Sequence, residues 1–144
     1  MNYIFDTGPF IILFRHFYRE RFPTLWEKFD SLIEEKTISS VREVKRELEI
    51  RDDKLKLWTK ENKGIFTSPS IEEFEFVNEI FKIRHFQSLI KEKNRMTERP
   101  QADPFVIAKA FKNSSCVVTT EIYKPNASKI PNICEFFNIG WTDL

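Results

Sequence analysis

Four acids, Asp6, Glu47, Asp103 and Glu121, stand at places in this chain where a parallel sheet could bring them together. Asp6 follows Tyr3-Ile4-Phe5, a bulky β-prone triplet. Glu121 follows Cys116-Val117-Val118-Thr119-Thr120, the clearest strand pattern in the sequence. Asp103 precedes Pro104, a pairing that starts helices. Glu47 lies on the flank of a helical pattern whose inward face is Val41, Val44 and Leu48, with Glu43 one turn earlier on the same flank. In open α/β sheets the carboxyl ends of the strands face the ligand crevice. Carboxylates gathered there raise one another's pKa unless a cation lies among them. A hard divalent ion such as Mg²⁺ or Mn²⁺ removes that penalty, takes oxygen donors and can activate water. Each acid also has an ordinary explanation: Asp6 in a strand-to-helix loop, Asp103 as a helix cap, Glu47 on a helix surface, Glu121 in a loop. His16 and His85 have no partner spacing and offer no rival ligand set.

The elements that would position these acids alternate between strand and helix. Gly8-Pro9 is read as the stop of the first strand, before a helix built on Phe10, Leu13, Phe14, Phe17 and Tyr18. Phe22-Pro23 ends it, and Leu25, Trp26, Phe29, Leu32 and Ile33 form a second stripe. Thr37-Ile38-Ser39 is a short strand, after which Ser40 is placed to cap the Glu47 helix. A further helix is expected from Asp52 to Asn62, and a strand at Ile65-Phe66-Thr67. The longest helical pattern runs from Ser70 to Lys93. Lys91 to Gln101 reads as a basic loop leading into Asp103. A helix near Pro131 to Phe137 and a strand around Ile139-Gly140-Trp141 close the chain.

With 144 residues, 41% hydrophobic and 31% charged, the sequence has the balance of one globular domain spanning 1–144. Fifteen Phe and three Trp are a heavy aromatic load, and part of it is expected to form a partner-binding surface between Phe10 and Phe29. The net charge of +1 excludes a whole-chain signal for nucleic acid or membrane, so charge must act locally. Local basic candidates that could meet a phosphate ester are Lys91, Lys93, Arg95 and Arg99 before Asp103, and Lys124 and Lys129 after Glu121. Cys116 and Cys134 lack metal or redox spacing and read as buried free thiols. With no membrane-length apolar run and no signal-peptide pattern, they point to a cytoplasmic protein.

Phe5-Asp6-Thr7, the Val44-x-x-Glu47-Leu48 helix, Ala102-Asp103-Pro104-x-x-Ile107-Ala108-x-Ala110 and Val117-Val118-Thr119-Thr120-Glu121 resemble the PIN domain family in order and spacing. The resemblance spans almost the whole chain and is nearest to VapC-like toxins, in a less-characterised bacterial subgroup. It implies a three-layer α/β/α sandwich with a mainly parallel central sheet. It also implies a Mg²⁺- or Mn²⁺-dependent ribonuclease that is the toxin of a toxin–antitoxin pair. Carried over, the catalytic and metal-binding residues are Asp6, Glu47, Asp103 and Glu121, with Thr7 and Thr119 as supporting hydroxyls. Two departures stand out. Glu121 takes the place of the family's usual Asp, and the segment from Ser39 to Glu47 is slightly long, which keeps Glu43 as an alternative to the favoured Glu47. The implied partners are RNA, an antitoxin protein and a second copy of the chain. Two other readings use the same residues: a catalytically weak binding module, and a nuclease or phosphatase acting on other phosphate esters.

Overall fold

The computed structural model describes residues 1–51, 53–87 and 102–144. Strands β1 (Tyr3–Phe5), β2 (Ile38–Val41), β3 (Phe66–Thr67), β4 (Cys116–Val118) and β5 (Trp141–Thr142) form one sheet. Its order is β3-β2-β1-β4-β5, and every neighbouring pair is parallel. The register sets Phe5 opposite Val118 and Ile4 opposite both Ser39 and Val117. From β1 in the middle of the sheet the chain steps outward to β3, then returns to the other side of β1. That reversal between β1 and β4 is the topological switch point of the fold.

Helices α1 (Thr7–His16), α2 (Pro23–Glu34), α3 (Arg42–Glu49) and α4 (Asp53–Glu61) belong to the outward half of the chain. Helices α5 (Ile71–Phe81), α6 (Ala102–Lys112) and α7 (Ile130–Phe136) belong to the return. Because parallel crossovers are right-handed, the two sets cover opposite faces and give the three-layer α/β/α sandwich. The packing agrees: α1 meets α3 and α4, whereas α6 crosses β1, β2 and β4 between α5 and α7.

Each face has its own aromatic cluster. On one, Phe10 lies with its ring centroid 5.1 Å from Phe5, 5.3 Å from Trp58 and 5.9 Å from Phe66, and Phe29 closes against Trp58 at 5.8 Å. On the other, Phe76 stacks on Phe111 at 4.0 Å and meets Phe137 edge-on at 5.1 Å. Most of the aromatic load thus fills two half-cores. Between them the all-buried segment Val106, Ile107, Ala108 and Ala110 lets α6 approach the sheet closely.

Several boundaries differ from the sequence reading, each for a local reason. Gly8-Pro9 does not stop the first strand; α1 begins at Thr7 and Pro9 sits in its first turn, where no backbone N–H is needed. Ser40 is not a helix cap but a residue of β2, and its hydroxyl donates to the Phe5 carbonyl at 2.5 Å. Val41 occupies the cap position of α3. Asp103 lies inside the first turn of α6 rather than at its cap. Ile65 ends a 3₁₀ turn (Lys63–Ile65), and the last strand is displaced to Trp141–Thr142. The long helix expected from Ser70 starts with a capping box between Ser70 and Glu73. It ends at Phe81, where Ile83 and Phe86 N–H groups turn to carbonyls three residues back and a 3₁₀ turn follows (Arg84–Gln87). The remainder of that expected helix, with Leu89, lies outside the described residues. Cys134 is buried as expected, Cys116 is half-buried, and both are free thiols. Among the described residues no helix is long and apolar enough to cross a membrane.

Candidate active site

Asp6 is the first residue after the central strand, and its N–H donates to the Val118 carbonyl at 2.9 Å, which ties it to the end of β4. Its carboxylate is buried, and Thr119 Oγ1 donates to Oδ2 at 3.2 Å. Burial pushes the Asp6 carboxyl up to about 8 from an ordinary 3.8. The negative charge of Asp103 is the next cause; the Thr7 backbone N–H opposes the rise, and Glu121 and Glu47 add to it. The structure therefore brings Asp6, Glu47, Asp103 and Glu121 into one electrostatic neighbourhood at the switch point.

The supporting elements explain how. Thr7 opens α1, and its hydroxyl donates to Glu47 Oε2 on α3, so the two helices are coupled across the site. Gly8 follows because nothing larger fits: a Cβ there would lie 2.3 Å from Thr120 Oγ1 and 3.2 Å from Thr120 Cβ. Thr119, fully buried, serves twice, donating to Asp6 and accepting from the Glu121 N–H at 3.1 Å. Glu121 is committed in another direction as well: its Oε2 accepts from the Ile130 N–H at 2.8 Å, at the start of α7.

Glu43 is placed differently from Glu47. It is buried and accepts from Arg42 Nε at 3.2 Å. Its Oε2 is the one buried side-chain polar atom among the described residues without a hydrogen-bond partner. Lys124 and Lys129 are exposed in the segment between Glu121 and α7. Lys91, Lys93, Arg95 and Arg99 lie outside the described residues.

Sequence reasoning missed Lys109. It is buried on α6, and its Nζ donates to the Ser40 carbonyl and to Thr67 Oγ1, both at 2.8 Å. Desolvation lowers its pKa to about 8, with Glu73 opposing. Since Ser40 also holds the Phe5 carbonyl, Lys109 braces the strand ends from which Asp6 emerges. The only signal in the sequence was a lysine between Ala108 and Ala110, in a turn otherwise wholly apolar.

All four acids are oxygen donors, and the uncompensated charge felt by Asp6 is what a hard divalent cation would relieve. The donor chemistry fits such an ion. As they stand, no three His, Cys, Asp or Glu side chains among the described residues converge closely enough to hold one.

Fold and site together define an α/β protein with buried carboxylates at the switch point of a parallel sheet. The chain belongs to the family described as Domain of unknown function (DUF4411), whose model matches residues 3–144. No match was found among curated proteins. Among solved structures, it is similar to a chain in the crystal structure of VapBC2 from Rickettsia felis bound to a DNA fragment from their promoter. The TM-score is 0.56 and the identity 14%, covering 100% of this chain and 99% of that one. This likeness is one of fold, and it accords with the PIN-like sandwich.

Proposed function

We propose that the chain is a divalent-cation-dependent endoribonuclease and the toxin of a type II toxin–antitoxin pair. The observation that carries the reading is Asp6, buried at the switch point with Asp103, Glu121 and Glu47 all raising its pKa. Asp6, Glu47 and Asp103 would hold Mg²⁺ or Mn²⁺, with Glu121 completing the site. The bound cation would supply charge neutralisation at a phosphodiester and a lowered pKa for water. The chain's own residues do the positioning. Thr119 orients the Asp6 carboxylate, Thr7 orients Glu47, and Lys124 and Lys129 attract the RNA backbone with salt-dependent affinity.

The antitoxin finds support in a cavity of about 250 Å³ lined by Phe14, Phe17, Tyr18 and Trp26 together with Arg19, Glu20 and Lys54, of which Arg19 is paired with Asp30 at 2.8 Å. Tyr18, Phe22 and Leu25 around it are exposed, and Arg19 lies 4.1 Å over the Trp26 ring. Such an aromatic groove suits the apolar face of an amphipathic helix. The likeness to a chain of the VapBC2 structure supports both halves of the reading by fold.

The test compares the wild-type chain with Asp6→Asn and Asp103→Asn, matched for melting, on total RNA with Mg²⁺, Mn²⁺ or EDTA. Metal-dependent cleavage by the wild type alone is expected. A folded wild type that binds metal without cutting RNA would favour a binding module or an enzyme of other phosphate esters. Equal cleavage by all three would remove these acids from the mechanism.

A further inference from the structure

Between Glu121 and α7 the backbone is pinned from several sides. Asn132, buried on α7, commits both ends of its amide to Lys124: Nδ2 donates to the Lys124 carbonyl at 2.6 Å and Oδ1 accepts from its N–H at 3.5 Å. Glu121 Oε2 accepts from Ile130 N–H, and the His85 ring Nε2 lies 3.2 Å from the Ala127 carbonyl oxygen. The Ala127 N–H itself returns to the Lys124 carbonyl at 3.1 Å. On this fixed frame Ile122 is 75% exposed and Tyr123 47% exposed. Neighbouring apolar side chains held in water on a restrained backbone form a surface prepared for contact. They directly follow Glu121 in the chain, one of the acids that act on Asp6, with exposed Lys124 and Lys129 in the same segment.

We infer that Ile122 and Tyr123 are a stacking platform for an unpaired base of single-stranded RNA next to the scissile phosphate. This deepens, and rests on, the nuclease reading. The two lysines favour a polyanion as occupant, and a ring face accepts any base, since every base has a π-face. A duplex keeps its bases stacked internally and cannot offer one, so the platform selects single strands. Because Asn132 and Glu121 order the segment beforehand, binding loses little to ordering the loop.

The experiment is fluorescence anisotropy of a short labelled oligouridine, measured on the full chain carrying Asp103→Asn to prevent cleavage. In that background Tyr123→Ala should weaken binding about tenfold, within the range for one stacked base, and Tyr123→Phe should leave it unchanged. The salt slope should stay constant in Tyr123→Ala but fall by about 0.7 in Lys124→Gln, which neutralises one fewer phosphate. Unchanged binding by Tyr123→Ala, at a melting temperature equal to its parent's, would overturn the platform. So would an equal loss on a duplex of the same length. If the wild type still cuts RNA in a metal-dependent way, either result leaves the nuclease reading standing. A parent chain that binds no oligouridine would overturn the platform, and a wild type that cuts no RNA with either metal would overturn the nuclease reading.

Discussion

Asp6 concentrates the electrostatic tension of the molecule in one carboxyl group. With its pKa near 8 in the folded chain and 3.8 when exposed, folding at neutral pH takes up a proton that the unfolded chain has released. Without a cation, stability therefore falls as the pH rises from about 4 to about 8. Asp6→Asn keeps the shape and loses the charge. Its melting temperature should exceed the wild type's at pH 8 by ~5 °C or more, with a flatter slope across the acid range, as thermal melts at stepped pH would show. Mg²⁺ or Mn²⁺ at pH 8 should raise the melting temperature of the wild type and not of Asp6→Asn. Gly8 makes a steric prediction at the same scale. Gly8→Ala should destabilise by about 1–2 kcal/mol, the overpacking against Thr120 exceeding the gain in helix propensity. In a Thr120→Ala background, where Oγ1 and Cγ2 are gone, urea denaturation should show most of that cost removed.

Among the elements, α7 is tied to the site through Glu121, which makes that residue's two duties separable. Glu121→Gln keeps an oxygen for the Ile130 N–H and should retain stability while lowering cleavage. Glu121→Ala should also lose about 1 kcal/mol, the usual worth of a cap, in chemical denaturation. How far this was legible in the sequence differs from element to element. β1 and β4 showed plainly as bulky apolar runs, and α6 as Asp-Pro followed by a buried stripe. The end of α5 at Phe81 did not, because neither glycine nor proline marks it and the apolar spacing continues past it. Gly8-Pro9 was misread since proline suits the first turn of a helix as well as it suits a turn. That the acids could gather was legible from strand ends and a helix start in a parallel sheet, but their individual roles came only through the resemblance to a family, because Asp6 and Thr119 meet across more than a hundred residues of chain. Lys109 was not legible: between two alanines it looks like a solvated charge, and only the packing of α6 on β2 and β3 shows what it holds.

For the whole molecule, the controlling feature is that the central strand precedes both of its neighbours in the sequence. β1 lies between β2 and β4, and its pairing with β4 joins residue 3 to residue 116. A chain truncated after Asn113 would leave one side of β1 with unpaired backbone groups and uncovered apolar surface. Such a fragment should aggregate or fall to limited proteolysis rather than melt cooperatively, which circular dichroism and protease digestion would reveal. During synthesis, then, a ribosome releases Asp6 long before Glu121, with more than a hundred residues between them. Until β4 and Glu121 emerge, the nascent polypeptide lacks the fourth acid and the strand that pairs with β1 beside Asp6. On the proposed nuclease reading, cleavage would have to wait for the late strands, and the message and the ribosome producing the chain would be spared until the sheet is assembled.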